Sequence, residues 1–547
     1  MKGTGNSALS EALAEWRACL GDERVLDGRA AQEKYGTCTT AIEREIPAAI
    51  KPKSVEDIRR ILGIARQRGI PLYPISTGRN WGYGTALPAL DGCAVLDLSG
   101  LDCIVDMDPA LGLVTVEPGV TQQKLFDHLE RERLPFLVPT TGAGPDCSLL
   151  GNALERGYGI TPYADHFGAV TAIEAILPDG RTYTSALNEL GGETVDRAFK
   201  WGVGPYLDGL FAQGNFGIVT RMTIALAPRP ERTVAFLFAI REDEGLEAAV
   251  AGVQQTLRRL GGVVGSINLM NARRVLSMAA QYPATLNGPD GIVSADVIAT
   301  LARRSGVAAW TGFGALYGTA EVVKAAKGVI RGILKPVTTS LRFVTPSMAS
   351  RLSHLVGSLP WVRNGVLARK TRTLDASLQL IAGKPSEVAL PLAYLRSPER
   401  PNPTARLDPA RDGCGLIWYP PLVPMLPERV RRYTAIIERT CTANGIEPLI
   451  TLTSLSDRCF DSSVPLVFDR GDPNAMERAH KCYLDLLDAG KKEGFLPYRL
   501  GLQGMDRLVS PDSTFWHVAS QLKFALDPEG IIAPGRYCLI TKPQRPN

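Results

Sequence analysis

At 547 residues the chain is too long for one compact core, so two or more domains are expected. Hydrophobic residues at 45% and charged residues at 21% are ordinary globular values and exclude a disordered chain. The 61 basic and 56 acidic residues leave a net charge of +5 with no basic block or aromatic–basic stripe, so no nucleic-acid partner is expected.

Ala8 to Leu20 is amphipathic and makes residues 1–40 read as a helical N-terminal arm. Ser54, with Asp57 three residues on, caps a helix whose apolar positions Ile58, Ile61, Leu62 and Ala65 recur at helical spacing. Leu72 to Ser76 reads as a short strand running into a glycine-rich turn. Short apolar runs broken by turn residues follow at Ala94–Leu98, Leu113–Val120 and Ala172–Arg181, the last reading as a strand that enters a Pro178-Asp179-Gly180 turn. Gln122 to Glu130 is helical. The texture changes near Pro228 and Pro230, after which longer helices mix with strands such as Val234–Ile240 and Leu449–Leu455. A helix over His517–Leu526 precedes the tail. Strands mixed with helices imply an α+β fold.

Ten cysteines stand singly with no CxxC pair, which argues against a zinc ribbon or a disulfide framework. No uncharged apolar run approaches the ~20 residues of a bilayer span, so no membrane partner is expected. Met1–Ser10 lacks the apolar core of a secretory signal, and Lys542–Asn547 carries no lipidation or peroxisomal signal; the expected location is cytoplasmic. His480 and His517 have no metal-spaced partners, and no metal is assigned.

The most informative stretch is Pro74-Ile-Ser-Thr-Gly-Arg-Asn-Trp-Gly-Tyr-Gly84. Its glycines let main-chain N–H groups approach an anion, for which a pyrophosphate is a natural guest. Alone, the loop reads equally as a tight surface turn, because the spacing is not GxGxxG and no P-loop lysine follows. Three further glycine-rich segments succeed it: Ser148-Leu-Leu-Gly-Asn-Ala-Leu-Glu-Arg-Gly-Tyr-Gly, Gly214-Asn-Phe-Gly-Ile-Val-Thr and Ala533-Pro-Gly-Arg-Tyr. In this order, from about Pro47 to Tyr537, the chain resembles the vanillyl-alcohol oxidase and para-cresol methylhydroxylase family of flavoproteins.

The resemblance implies an α+β, two-domain flavoprotein. After the arm at 1–40, a discontinuous FAD-binding domain would span 41–235 and 505–547, and a cap domain at 236–504 would cover the flavin ring. Ser76, Thr77, Gly78, Arg79, Asn80 and Trp81 would cradle the pyrophosphate. Ser148, Gly151 and Asn152 would also contact FAD, Glu155, Gly159 and Ile218 would lie towards the ribose or adenine, and Arg536 and Tyr537 would close the site. Tyr83, Tyr498 and Arg499 would hold the phenolic oxygen of a para-substituted phenol.

Two positions depart from the family's pattern. Ala143 stands where an aspartate near the flavin is common; Asp146 either takes over that catalytic role or serves as a turn residue beside Pro145. Leu416, in Asp412-Gly-Cys-Gly-Leu-Ile-Trp-Tyr, stands where a flavin-linking histidine is common. Tyr419 and Cys414 are the other residues that could form such a link, and both also read as packing residues, so the expectation is non-covalent FAD. His166, beside Asp165, reads as structural. The electron acceptor is oxygen, as in an oxidase, or an electron-transfer protein, as in a cytochrome-linked dehydrogenase or hydroxylase. A lyase acting on phenolic lignin-type dimers, or a flavin scaffold without turnover, is the reading from a different class. A homodimer is an analogy from the resemblance alone.

Overall fold

The computed structural model describes residues 4–279, 291–358, 365–397 and 405–538; the Lys542–Asn547 tail read above lies outside them. The first sheet has four strands, in the order Val25–Asp27, Ala48–Ile50, Ala94–Asp97 and Leu72–Ile75. Its last three strands run parallel. The helix Val55–Arg68 makes the crossover that a parallel pair requires. That helix begins where the Ser54 hydroxyl accepts the Asp57 N–H and ends where Gly69 turns left-handed at φ 65. Its Ile58, Ile61, Leu62 and Ala65 are buried, as their spacing predicts. Residues 4–40 are part of this unit: Val25–Asp27 pairs antiparallel with Ala48–Ile50, and buried Trp16 donates to the Ile61 carbonyl.

A second sheet is antiparallel, in the order Ile104–Asp108, Leu113–Val116, Ile218–Ala225, Val170–Ile176 and Thr182–Tyr183. The third has seven antiparallel strands: Ser340–Val344, Arg232–Ile240, Trp310–Gly318, Val264–Asn271, Thr451–Ser454, Cys459–Ser462 and Leu422–Pro424. A two-stranded ladder of Cys414–Tyr419 with Val464–Asp469 continues from it. The chain passes between these two sheets at Pro420-Pro421 and again at Ser463, so both turn the same corner. That corner is pinned by Ser462 N–H donating to Pro421 and by Tyr498 N–H donating to Pro420.

The C-terminal segment returns to the first sheet, where Leu72 N–H donates to Ile531 and Ala533 N–H donates to Leu72. Among the described residues no helix is long and apolar enough to cross a membrane.

Candidate active site

One cavity of about 450 Å³ lies where the glycine loop, the second sheet, the sheet corner and the C-terminal return meet. Its wall contains Ser76, Thr77, Gly78, Arg79, Asn80, Trp81, Tyr83, Ser148, Gly151, Asn152, Glu155, Ile218, Tyr498, Arg499 and Arg536. The four sequence motifs therefore converge on one space, although they are spread from residue 74 to residue 537.

The loop after the strand Leu72–Ile75 is shaped for an anion. Gly78, Gly82 and Gly84 hold φ of 67, 77 and 118, which side chains on Cβ disfavour. A Cβ at Gly82 would collide with the Trp418 indole, and one at Gly84 with Leu502. The N–H groups of Thr77 through Trp81 donate to no acceptor among the described residues. Buried Trp81 Nε1 and Thr85 Oγ1, both in residues of the cavity wall, also lack a partner. Consecutive unpaired donors at a cavity are the expected signature of a phosphate cradle. Two small residues bring the neighbouring helix Leu149–Leu154 close, because a Cβ at Gly151 would strike the Ser76 hydroxyl. Ser148 is the N-cap of that helix and donates to the Pro118 carbonyl. His166 bonds Asn152 Oδ1 through Nδ1 at 2.6 Å. Burial lowers the His166 pKa to about 4, so the neutral ring fixes the Asn152 amide and takes no part with Asp165. These residues fit FAD.

Several expected contacts take another form. The Arg79 side chain pairs with Asp408 and lies 5.7 Å from the Trp81 ring centre, so its charge clamps the 408–412 segment onto the loop. Gly159 is not in the wall; it packs against His166 and the Thr140 carbonyl. Tyr537 is also outside the wall. Its hydroxyl accepts from Leu500 N–H at 2.8 Å and thereby positions the Tyr498-Arg499 segment. Asp146 stands outside the wall that Ala143, Cys147 and Ser148 form. Leu416 lines the cavity, whereas buried Tyr419 and Cys414 do not.

The Tyr83, Tyr498 and Arg499 side chains are brought together. The Arg499 guanidinium lies 3.8 Å from the Tyr83 ring centre, a stacked cation–π geometry. Its Nη2 donates to Asn80 Oδ1 at 2.5 Å and lies 3.7 Å from Glu155 Oε2. Glu155 is shared with Arg536, which it pairs more closely. Arg499 Nε is buried without a partner. Burial pushes the Tyr83 and Tyr498 phenols up, so both are hydroxyl donors at neutral pH. Gln213 Nε2 holds the Tyr498 carbonyl at 3.0 Å, and Leu502 N–H donates to Tyr83, tying the two segments.

Sequence reading missed Asp461, the one carboxylate of the strand Cys459–Ser462. Burial drives its pKa up to about 7, against the Ser463 hydroxyl and the charge of Arg499, which pull it down. Its Oδ1 has no partner, consistent with a protonated group. The available signal was a lone acid in the otherwise uncharged run Cys459-Phe-Asp-Ser-Ser-Val-Pro.

Comparison with known proteins agrees with this geometry. A model of the FAD binding domain matches residues 46–186. The chain is 37% identical over 531 residues to the 1'-carboxy-chondrochloren decarboxylase of Chondromyces crocatus, covering 97% of each protein. It is 28% identical to the 4-cresol dehydrogenase [hydroxylating] flavoprotein subunit of Pseudomonas putida, over 98% of this chain and 96% of that one. A crystal structure of p-cresol methylhydroxylase with substrate bound superposes with a TM-score of 0.86 at 26% identity, covering 98% of both chains.

Asp461, which stands outside the cavity wall, should give the site a pH dependence with a definite sign. Below about pH 7 the group is neutral; above it a carboxylate forms near Arg499 and opposes binding of a second anion. The ratio of kcat/KM for a 4-alkylphenol, Asp461→Asn over wild type, should stay near unity at pH 6 and rise several-fold by pH 8.5. A ratio that does not vary with pH would remove Asp461 from the account.

Proposed function

The chain belongs to the vanillyl-alcohol oxidase and para-cresol methylhydroxylase family of FAD-dependent oxidoreductases, and from that premise we propose that it takes a hydride from the side-chain carbon para to the hydroxyl of a 4-substituted phenol. The observation that carries this reading is Arg499 stacked on Tyr83 beside Tyr498, three side chains in one cavity wall. A free phenol ionises at a pKa of ~10. A fixed guanidinium and two hydroxyl donors favour the anion and lower that value. The phenolate pushes electron density to the para carbon, which makes its side chain a hydride donor and leaves a para-quinone methide. FAD, when bound, supplies the hydride acceptor. Main-chain N–H groups of Thr77–Trp81 would hold its pyrophosphate, and Ser148, Gly151 and Asn152 would line its path. The reading includes the division into FAD-binding segments 41–235 and 505–547 with a cap at 236–504. It leaves the choice between oxygen and an electron-carrier protein to experiment.

A second reading concerns the fate of the quinone methide. Ala143 lines the cavity and offers neither a base nor a group to direct water. The relative from Chondromyces crocatus is named a decarboxylase. If the side chain carries a carboxylate on the next carbon, the bond to that carboxylate can break instead. Its electron pair becomes the new C=C bond, the ring regains aromaticity as phenolate, and CO2 leaves; the two electrons of the oxidation leave the substrate with the hydride, for which FAD, when bound, would be the acceptor. No protein base is needed for that step.

Arg499→Ala should retain FAD yet lose phenol affinity by a factor on the order of a hundred, because truncating one partner of a buried ion pair costs ~2–5 kcal/mol. Unchanged turnover of a 4-alkylphenol would contradict the assignment. Non-covalent FAD is the reading that Leu416, Tyr419 and Cys414 support. Acid precipitation should therefore release yellow flavin into the supernatant, and flavin left on the pellet would show a covalent link.

A further inference from the structure

Four arginines line the cavity: Arg79, Arg274, Arg499 and Arg536. Three have a carboxylate within ion-pair distance: Asp408 for Arg79, and Glu155 for Arg536 and, at 3.7 Å, for Arg499. Arg274 is different. Its Nε donates to the Thr451 hydroxyl at 3.2 Å and its Nη1 reaches the Ser277 hydroxyl at 3.5 Å. No carboxylate among the described residues lies within ion-pair distance of it. The adjacent Arg273 does have one, with Nη1 2.6 Å from Glu447 Oε2. A cation in a cavity wall carries a desolvation cost that two hydroxyl partners offset in part and an anion in the cavity would offset further. Burial accordingly lowers its pKa to about 10, which still leaves it fully charged at neutral pH.

Its position favours a substrate anion over a cofactor anion. Arg274 lies in the first turn of the helix Ala272–Ala279, directly after the strand Val264–Asn271 of the seven-stranded sheet, where its N–H donates to Asn271 Oδ1. Met270 pairs with Thr451, and Leu452 pairs with Ser462, so Thr451 and Ser463 are neighbours at the sheet corner. Both line the cavity, and that corner also carries the Pro420 carbonyl that pins Tyr498. Arg274 and Arg499 thus belong to the cap side of one cavity, with the apolar side chains Leu390, Leu392, Leu416 and Trp418 in the same wall. Such an arrangement takes a molecule with an anion at each end and an apolar middle.

We propose that Arg274 is a carboxylate receptor and that the substrates of this enzyme are 4-hydroxyphenyl compounds bearing a carboxylate on the para side chain. The assignment rests on the phenol reading above for its other end. The guanidinium presents a planar pair of N–H donors to the carboxylate, while Thr451 and Ser277 hold the side chain in place. Neutral 4-alkylphenols of the same length would forfeit that pair and leave Arg274 uncompensated.

Calorimetric titration of the FAD-loaded protein tests this without turnover. 4-Hydroxycinnamate has no sp3 carbon on its ring and cannot donate a benzylic hydride; its amide is the neutral isostere. Wild type should bind the acid on the order of thirtyfold tighter than the amide. Arg274→Gln should abolish that preference, with the amide affinity and the flavin absorption spectrum unchanged, and Arg274→Lys should keep part of it. No preference in wild type would overturn the proposal independently of any variant. So would a preference that persists in Arg274→Gln, or a variant that weakens both ligands equally and shifts the flavin spectrum, which would assign Arg274 to the cofactor. Binding of the acid and the amide alike, lost alike in Arg499→Ala, would leave the phenol reading standing and sink only the carboxylate receptor. If wild type binds neither ligand, both readings fall together.

Discussion

A buried guanidinium that is only partly compensated is the constraint on which the site depends. Arg499 is among the buried charged residues, yet its close partners are one neutral amide, Asn80, and the face of Tyr83. The carboxylate of Glu155 is 3.7 Å away and closer to Arg536. A full ion pair would satisfy the charge and remove its use; an isolated charge would be too costly to bury. The intermediate arrangement leaves capacity for one more anion. Because Asn80 precedes Arg499 by 419 residues, the charge can be housed only when the first and last thirds of the chain have come together.

The supporting contacts all serve that junction. Tyr498 N–H is held by Pro420, its carbonyl by Gln213, and the following Leu500 by Tyr537. Leu502 returns to the Tyr83 carbonyl and fills the space that Gly84 leaves open. Around it the seven-stranded sheet contributes a polar edge where it turns its corner. Residues two apart in a strand share a face, which groups Asp461 with Ser463 and Thr451 with Thr453 across one ladder. Apolar Leu390, Leu392 and Leu416 complete the walls. The cavity is therefore polar at fixed points and apolar between them, the pattern of a site that orients a small aromatic molecule.

Local signals in the sequence were legible where chemistry is local. Ser54 caps its helix through Asp57 N–H, the Pro178-Asp179-Gly180 turn follows its strand, and Gln122–Arg131 is a helix as its pattern predicts. The glycine loop is likewise readable, because positive φ demands glycine at Gly78, Gly82 and Gly84. Features set by long-range pairing were not legible. Arg273 and Arg274 are adjacent and identical in type, and only the fold gives Glu447 to one and the cavity to the other. Asp461 becomes a perturbed acid because its strand is buried beside Arg499. Arg79 turns to Asp408, a partner 329 residues away. The stretch 1–40, read as an arm, supplies a sheet strand and a core tryptophan because its short strand finds Ala48–Ile50.

Phenol binding at Tyr83, Tyr498 and Arg499 should lead to hydride transfer onto bound FAD. The direct measurement is an anaerobic titration of the purified holoprotein with 4-alkylphenols, 4-hydroxybenzyl alcohols and 4-hydroxyphenyl carboxylates, following the visible flavin absorption. The account predicts that at least one class bleaches the flavin and that its O-methyl ethers do not, since they cannot form a phenolate. Bound FAD that stays oxidised with every phenol, or that is reduced equally well by the ethers, would contradict it.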